Sequence, residues 1–161
     1  SSSSAASDVY KRQNKLILNY NTNLFSYRLQ SYSRGFMSKV DKIGTFSKKI
    51  IDLLNLDIPE YTKIYIGDQN REHMEKKHPH DYQYYHHLIP DIISNPDYVG
   101  IEHKNNSIEY IKEVSMDPNV IIKIAIRVSL NGKYFVRTMY NISDHKIQSA
   151  LNKGYLFKVE N

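Results

Sequence analysis

In the segment REHMEKKHP, Arg71–Pro79, two imidazoles and two ammonium groups fall close together as His73, Lys76, Lys77 and His78. On a helix His73 and Lys77 stand at i and i+4 and share one face, with Lys76 beside them. Imidazole is the side chain best matched to proton transfer near neutral pH. A neighbouring cation can stabilise negative charge on a phosphorane or a leaving oxygen. An ordinary solvated helix would carry the same residues. The H-x4-H spacing lacks an HExxH, and no nearby acid–His pattern completes a tetrahedral site. The chain has no cysteine. No metal and no cofactor is therefore expected.

A second group comes from the stretch Asn119–Ile142, NVIIKIAIRVSLNGKYFVRTMYNI. Two alternating apolar runs flank Asn131-Gly132, which predicts a β-hairpin closed by a two-residue type I′ turn. Counting outward from that turn pairs Ile126 with Arg137, Ile124 with Met139, Ala125 with Thr138 and Lys123 with Tyr140. One face is then mostly apolar, and the other carries Lys123, Arg127, Thr138 and Tyr140. That polar face meets either solvent or a ligand. Arg137 counts onto the apolar face beside Phe135 and Met139. Either it lies at the rim with its head in water, or a bulge turns it to the other side. Ser107 and Glu109, in KNNSIE, share a strand face that could help hold a phosphate or orient a base. The YQYYHH run, Tyr82–His87, could stack bases or form a plain helix surface.

Elements must hold these groups in place. Gly44 marks the start of regular patterning. A helix is expected over 46–56, a strand over 63–66, and a helix over 69–77 capped by Asp68 and stopped by Pro79. Short helical turns at 82–88 and 90–95 follow. Strands are expected at 98–102, 107–114, 120–129 and 133–141, then a helix from 144 to about 153 and an edge strand at 155–159. Helices first and an antiparallel meander afterwards make an α+β layout. The front of the chain, residues 1–43, reads as a disordered or partly helical tail or linker, with residues 44–161 as the folded domain.

Bulk composition narrows the classes. The chain has 161 residues, 40% of them hydrophobic, which is enough for one core. Its formal net charge is +5. Nine Lys/Arg against five Asp/Glu fall in residues 1–61, so most of the surplus lies in front of the sheet half. Any argument for an anionic partner therefore rests on local clusters. Fourteen tyrosines, seven histidines and no tryptophan are unusual, and Tyr and His can stack on bases. No apolar run approaches a membrane span and no signal peptide is apparent. A cytoplasmic protein is expected, or a delivered or virion-associated one.

From Gly44 to Val159 the motif order resembles a known family. IYIGDQNREHMEKKHP is followed by IISNPDYVG, then NSIEYIKE, then a long hairpin ending GKYFVRTMY. This order is similar to the phage-associated nuclease domains of the barnase/EndoU/colicin/RelE-like fold. The resemblance implies helices at the N-terminal side packed on a curved antiparallel sheet of about four to five strands, which carries the active site. It implies a metal-independent endoribonuclease giving 2′,3′-cyclic phosphate ends, in a phage, mobile-element or toxin setting. Carried over residue by residue, it marks His73, Lys77, His78, Arg137, Thr138 and Tyr140 as catalytic. Lys76, Lys123, Arg127 and Ser107 would bind RNA. The implied partners are RNA (tRNA or mRNA among the candidates) and an acidic immunity or antitoxin protein, with phage or toxin domains upstream and no membrane. The alternative is a non-catalytic RNA- or protein-binding module on the same fold, such as a phage structural accessory.

Overall fold

The computed structural model describes residues 38–160, so residues 1–37 of the tail or linker expected over 1–43 lie outside the described residues. The chain opens with strand β1 (Val40–Thr45), helix α1 (Lys48–Leu54), strand β2 (Lys63–Gly67) and helix α2 (Asp68–Lys77). Two short helices follow, α3 (Pro79–Tyr85) and α4 (Ile89–Ser94), joined by a 3₁₀ turn at His86–Leu88. Strands β3 (Tyr98–Glu102), β4 (Ser107–Glu113), β5 (Ile121–Val128) and β6 (Tyr134–Asn141) come next. Helix α5 (Asp144–Asn152) and strand β7 (Leu156–Lys158) complete the domain.

The strands form one sheet in the order β1-β2-β6-β5-β4-β3-β7. The α+β class is as expected, but the sheet is larger than the four to five strands anticipated, and it is mixed. Strand β2 runs parallel to β6, pairing Ile64 with Tyr134 and Tyr65 with Phe135. The helices are also not gathered at the N-terminal side, since α5 follows β6. Strand β1 was hidden in a stretch read as tether. It is a half-exposed edge of polar composition, VDKIGT, and its pattern is broken by a bulge between Lys42 and Gly44. Its start at Val40 places the folded unit's edge ahead of Gly44. Only the partner strand β2 makes it a strand.

Local chemistry explains the helix ends. The Ser47 hydroxyl accepts from the Ile50 N–H and caps α1. Asp68 lies inside the first turn of α2 rather than at its cap, where its charge suits the helix dipole. It accepts from the Lys39 N–H at 2.8 Å and from Arg71 at 3.1 Å. Arg71 also reaches Asp41 at 2.6 Å, which ties α2 to β1. That bond holds the Asp41 carboxyl below the usual carboxylate range.

The main core covers one face of the sheet. Ile50, Ile51 and Leu54 of α1, Met74 of α2 and Ile89, Ile92 and Ile93 of α4 pack on Ile64, Tyr110, Ile122, Ile124, Ile126, Val136 and Met139. The other face is only partly covered. Under α5, Ile147 packs with Ile111, Ile121 and Leu156. Toward β6 and β2 this second face carries Tyr65, Phe135, Arg137 and Thr138, all partly exposed. Strand β5 is buried on both sides at its start, which is why its sequence reads as an almost continuous apolar run.

Close backbone approach constrains one glycine in particular. A Cβ on Gly100 would lie 2.3 Å from the Tyr155 carbonyl oxygen and 3.3 Å from the Leu156 Cα. Backbone cannot yield as a flexible side chain can. Gly100→Ala should therefore loosen β7 and lower stability by about 1–3 kcal/mol, read as a lower midpoint in urea denaturation.

Candidate functional site

The open face of β5 and β6 is shaped by two departures from simple alternation. The hairpin loop has three residues, not two. Gly132 donates to the Ser129 carbonyl at 2.9 Å, and Ser129 donates to the Lys133 carbonyl at 2.7 Å. Gly132 has φ +79, and Asn131 is absent from the residues of positive φ. This is a type I turn followed by a left-handed glycine, not the type I′ turn expected. The Asn131 side chain explains the preference. Its Oδ1 accepts from the Lys133 N–H at 3.3 Å and from the Ser129 hydroxyl, closing the loop over itself.

The extra loop residue shifts the pairing near the turn. Val128 pairs with Tyr134, Arg127 with Phe135 and Ile126 with Val136. Beyond a bulge the counted register returns, and Ala125 pairs with Thr138, Ile124 with Met139 and Lys123 with Tyr140. Arg137 is the residue left unpaired. Val136 and Met139 are both buried, yet three positions apart, so one residue must be absorbed between them. Phe135 thus exchanges faces with Val136 relative to the counted register. Arg137 leaves the apolar face and stands over the Phe135 ring at 5.6 Å. Arg137, Thr138 and Tyr140 share the open face with Lys123 and Arg127.

The loop after α2 completes the site. His78 ends α2 and precedes α3, and its ring stacks on Tyr140 with centroids 5.0 Å apart and planes at 26°. Pro79 at the first position of α3 forces this break in the helix. Asp81 then accepts from the Asn141 N–H at 2.9 Å, which pins α3 to the end of β6. Tyr140 also meets Lys123, whose Nζ lies 5.0 Å from the ring centre. Lys123 donates to Glu109 at 2.8 Å, and both side chains are largely buried. Burial works against the Lys123 charge, but the Glu109 carboxylate and the Tyr140 side chain outweigh it and hold its pKa above the ordinary lysine value. Lys123 is accordingly a fixed positive charge beside the Tyr140 ring.

Neither Arg127 nor Arg137 forms an ion pair among the described residues, and the Arg127 Nε is buried without a partner there. Unpaired guanidinium groups on an open face suit an anion, especially a phosphate that can take two N–H groups at once. His73, Lys76 and Lys77 are exposed on α2 and make no hydrogen bond or ion pair among the described residues. The structure thus brings His78, Tyr140 and Lys123 together and places Thr138, Arg127 and Arg137 further along the same sheet face. It leaves His73, Lys76 and Lys77 on the adjoining helix surface. Ser107 is almost wholly buried, set apart from the exposed cations. No group of three or more His, Asp or Glu side chains is arranged to hold a metal among the described residues. Nor is any helix there long and apolar enough to cross a membrane.

One contributor was noted in the sequence without its partner, and another escaped it. Glu109 had been noted for its face, but not as the partner of Lys123, which it meets diagonally across β4 and β5. Tyr65 joins the open face only because β2 pairs with β6, and its ring lies 5.8 Å from Phe135.

An α+β domain whose exposed sheet strip gathers imidazole, phenol, ammonium and guanidinium groups has the make-up of a phosphodiester-handling module. The comparison with protein families agrees. The chain belongs to the family described as phage-Barnase-EndoU-ColicinE5/D-RelE like nuclease3, which matches residues 41–149. No curated protein and no solved structure matches the chain.

The Lys123–Glu109 pair has a testable signature. Glu109→Gln leaves a largely buried ammonium without its counter-charge and should cost about 1–3 kcal/mol at neutral pH. A lysine whose folded pKa is raised stabilises the fold below its unfolded value and loses that contribution as pH rises through the folded one. The difference between parent and variant in urea titrations should therefore be full at pH 7. It should shrink above the ordinary lysine value of 10.5.

Proposed function

We propose that this protein is an endoribonuclease that uses the RNA's own 2′-hydroxyl as nucleophile. The supporting observation is the stack of His78 on Tyr140, with the Lys123 charge 5.0 Å from the same ring and two unpaired arginines on the same sheet face. His78 takes the 2′-OH proton as base. The O2′–P bond forms, the P–O5′ bond breaks, and Tyr140 delivers its proton to the departing 5′-oxygen. Lys123 lowers the cost of the transient phenolate. Arg137 and Arg127 hold the non-bridging oxygens, and Thr138 donates a hydrogen bond to them. The products are a 2′,3′-cyclic phosphate and a 5′-hydroxyl. The chemistry calls for no metal. Lys76, Lys77 and His73, exposed on α2, extend the cationic surface along which the strand would lie. An acidic inhibitor protein would recognise the same cations.

The assignment separates by leaving group. With chelator present, His78→Ala and Tyr140→Phe should each lower RNA cleavage by about 10²–10⁴-fold. On a nucleoside 3′-aryl phosphate, whose leaving group needs no proton, Tyr140→Phe should regain most of its rate while His78→Ala does not. Arg137→Ala should slow both substrates. DNA should remain uncut. Full activity of all three variants, or strict metal dependence, would sink the mechanism. Binding of RNA with no cleavage by the parent protein would instead identify a binding module.

A further inference from the structure

A cleft of about 380 Å³ opens at the hairpin end of the sheet, away from the His78–Tyr140 stack. Its walls include Tyr61, Lys63, Tyr65 and Lys133, with Glu60 the one acidic residue among them. Two features of this cleft are not explained by folding. The first is Tyr61, whose φ of +65 lies in the left-handed region, uncommon for a bulky side chain. The turn holds it there. Tyr61 donates its N–H to the Phe46 carbonyl at 3.0 Å, and the Thr62 N–H and hydroxyl both reach the Pro59 carbonyl. Yet Tyr61 is 70% exposed, so packing does not offset that strain. Glycine or asparagine would suit the turn better.

The second feature is an alternation of cations and rings leading out of the active face. Lys133 stands 5.6 Å over the Tyr65 ring, Tyr65 lies 5.8 Å from Phe135, and Arg137 stands 5.6 Å over Phe135. Rings interleaved with cations are how proteins hold unpaired nucleic acid. Bases stack on the rings while the cations follow the phosphates. From Tyr140 back to Tyr134 the strand spans roughly 20 Å, several nucleotide steps.

We propose that the Tyr61–Tyr65–Lys133 cleft is a nucleobase subsite. It would hold a base of the same RNA strand several nucleotides from the cleaved bond, so that the substrate is unpaired RNA rather than duplex. This rests on the RNA reading of the catalytic face, and the test keeps the two apart. Tyr61→Gly removes the ring and accepts the turn's φ, so it should melt no lower than the parent. Lys133→Ala alters an exposed side chain. Binding is measured by anisotropy of labelled, uncleavable 2′-O-methyl oligonucleotides, and turnover on ribo-dinucleotide and ribo-octanucleotide.

Both variants should weaken single-stranded octanucleotide binding by about fivefold or more while leaving dinucleotide turnover unchanged. A hairpin duplex should bind no better to the parent than to Tyr61→Gly. Unchanged octanucleotide affinity in a folded Tyr61→Gly would overturn the subsite even if cleavage is intact. So would equal preference for duplex and single strand. Tyr61-dependent octanucleotide binding without any cleavage would uphold the subsite and remove the catalytic assignment.

Discussion

Everything on the open face of β5 and β6 depends on the single residue absorbed between Val136 and Met139. Both side chains are wholly buried, and a strand can bury residues three apart only by accommodating an extra one. The three-residue loop had already displaced the pairing by one position. Left uncorrected, that displacement would have turned Thr138 and Tyr140 inward and Met139 outward. The bulge at Arg137 restores the register and sends Arg137 and Thr138 out on the same side. Burial of Met139 and presentation of Tyr140 are thus two consequences of one backbone irregularity. The placement of bulges beside functional residues in other sheets has the same origin.

Around that strand the polar groups are held by bonds of quite different strength. The Lys123–Glu109 pair is shielded from water and made between strands, so its position is set by the sheet itself. His78 is placed by the break between α2 and α3 and by the Asp81 bond to the Asn141 N–H. By contrast, Arg127 and Arg137 have no ionic partner among the described residues. In the proposed reaction the fixed charge would shape the electrostatics of proton transfer without reorganising, and the unpaired guanidinium groups would adjust to a phosphate.

Much of the layout was legible in the residues. The strands from Tyr98 to Asn141, the Pro79 break and the Gly154 turn, whose φ is +72, all carried local signals that tertiary packing left intact. His78, Tyr140 and Lys123 were on the sequence-derived list of candidates, because imidazole, phenol and ammonium advertise their chemistry. The face of Arg137 was open in the sequence, although the apolar spacing of Tyr134, Val136 and Met139 already contained the answer. The two-residue turn was misread because Asn-Gly also serves a three-residue loop, in which Asn131 closes a type I turn and only Gly132 takes the left-handed conformation.

The sequence by itself determined the α+β class, the identity of the hairpin and the chemical types available, since these follow from period, turn residues and side-chain pKa ranges. Tertiary structure alone decided which of those groups meet. The parallel pairing of β2 with β6 joins segments some seventy residues apart, as Ile64 with Tyr134 and Tyr65 with Phe135, and no local pattern encodes such a partner. That pairing put Tyr65 on the open face, and β2 from its other edge made a strand of polar β1. Packing of Met74 into the core fixed the rotation of α2, leaving His73 on its exposed surface and His78 at its end, against Tyr140. A helix face is a property of the chain, but the neighbour it turns toward is chosen by the core as a whole.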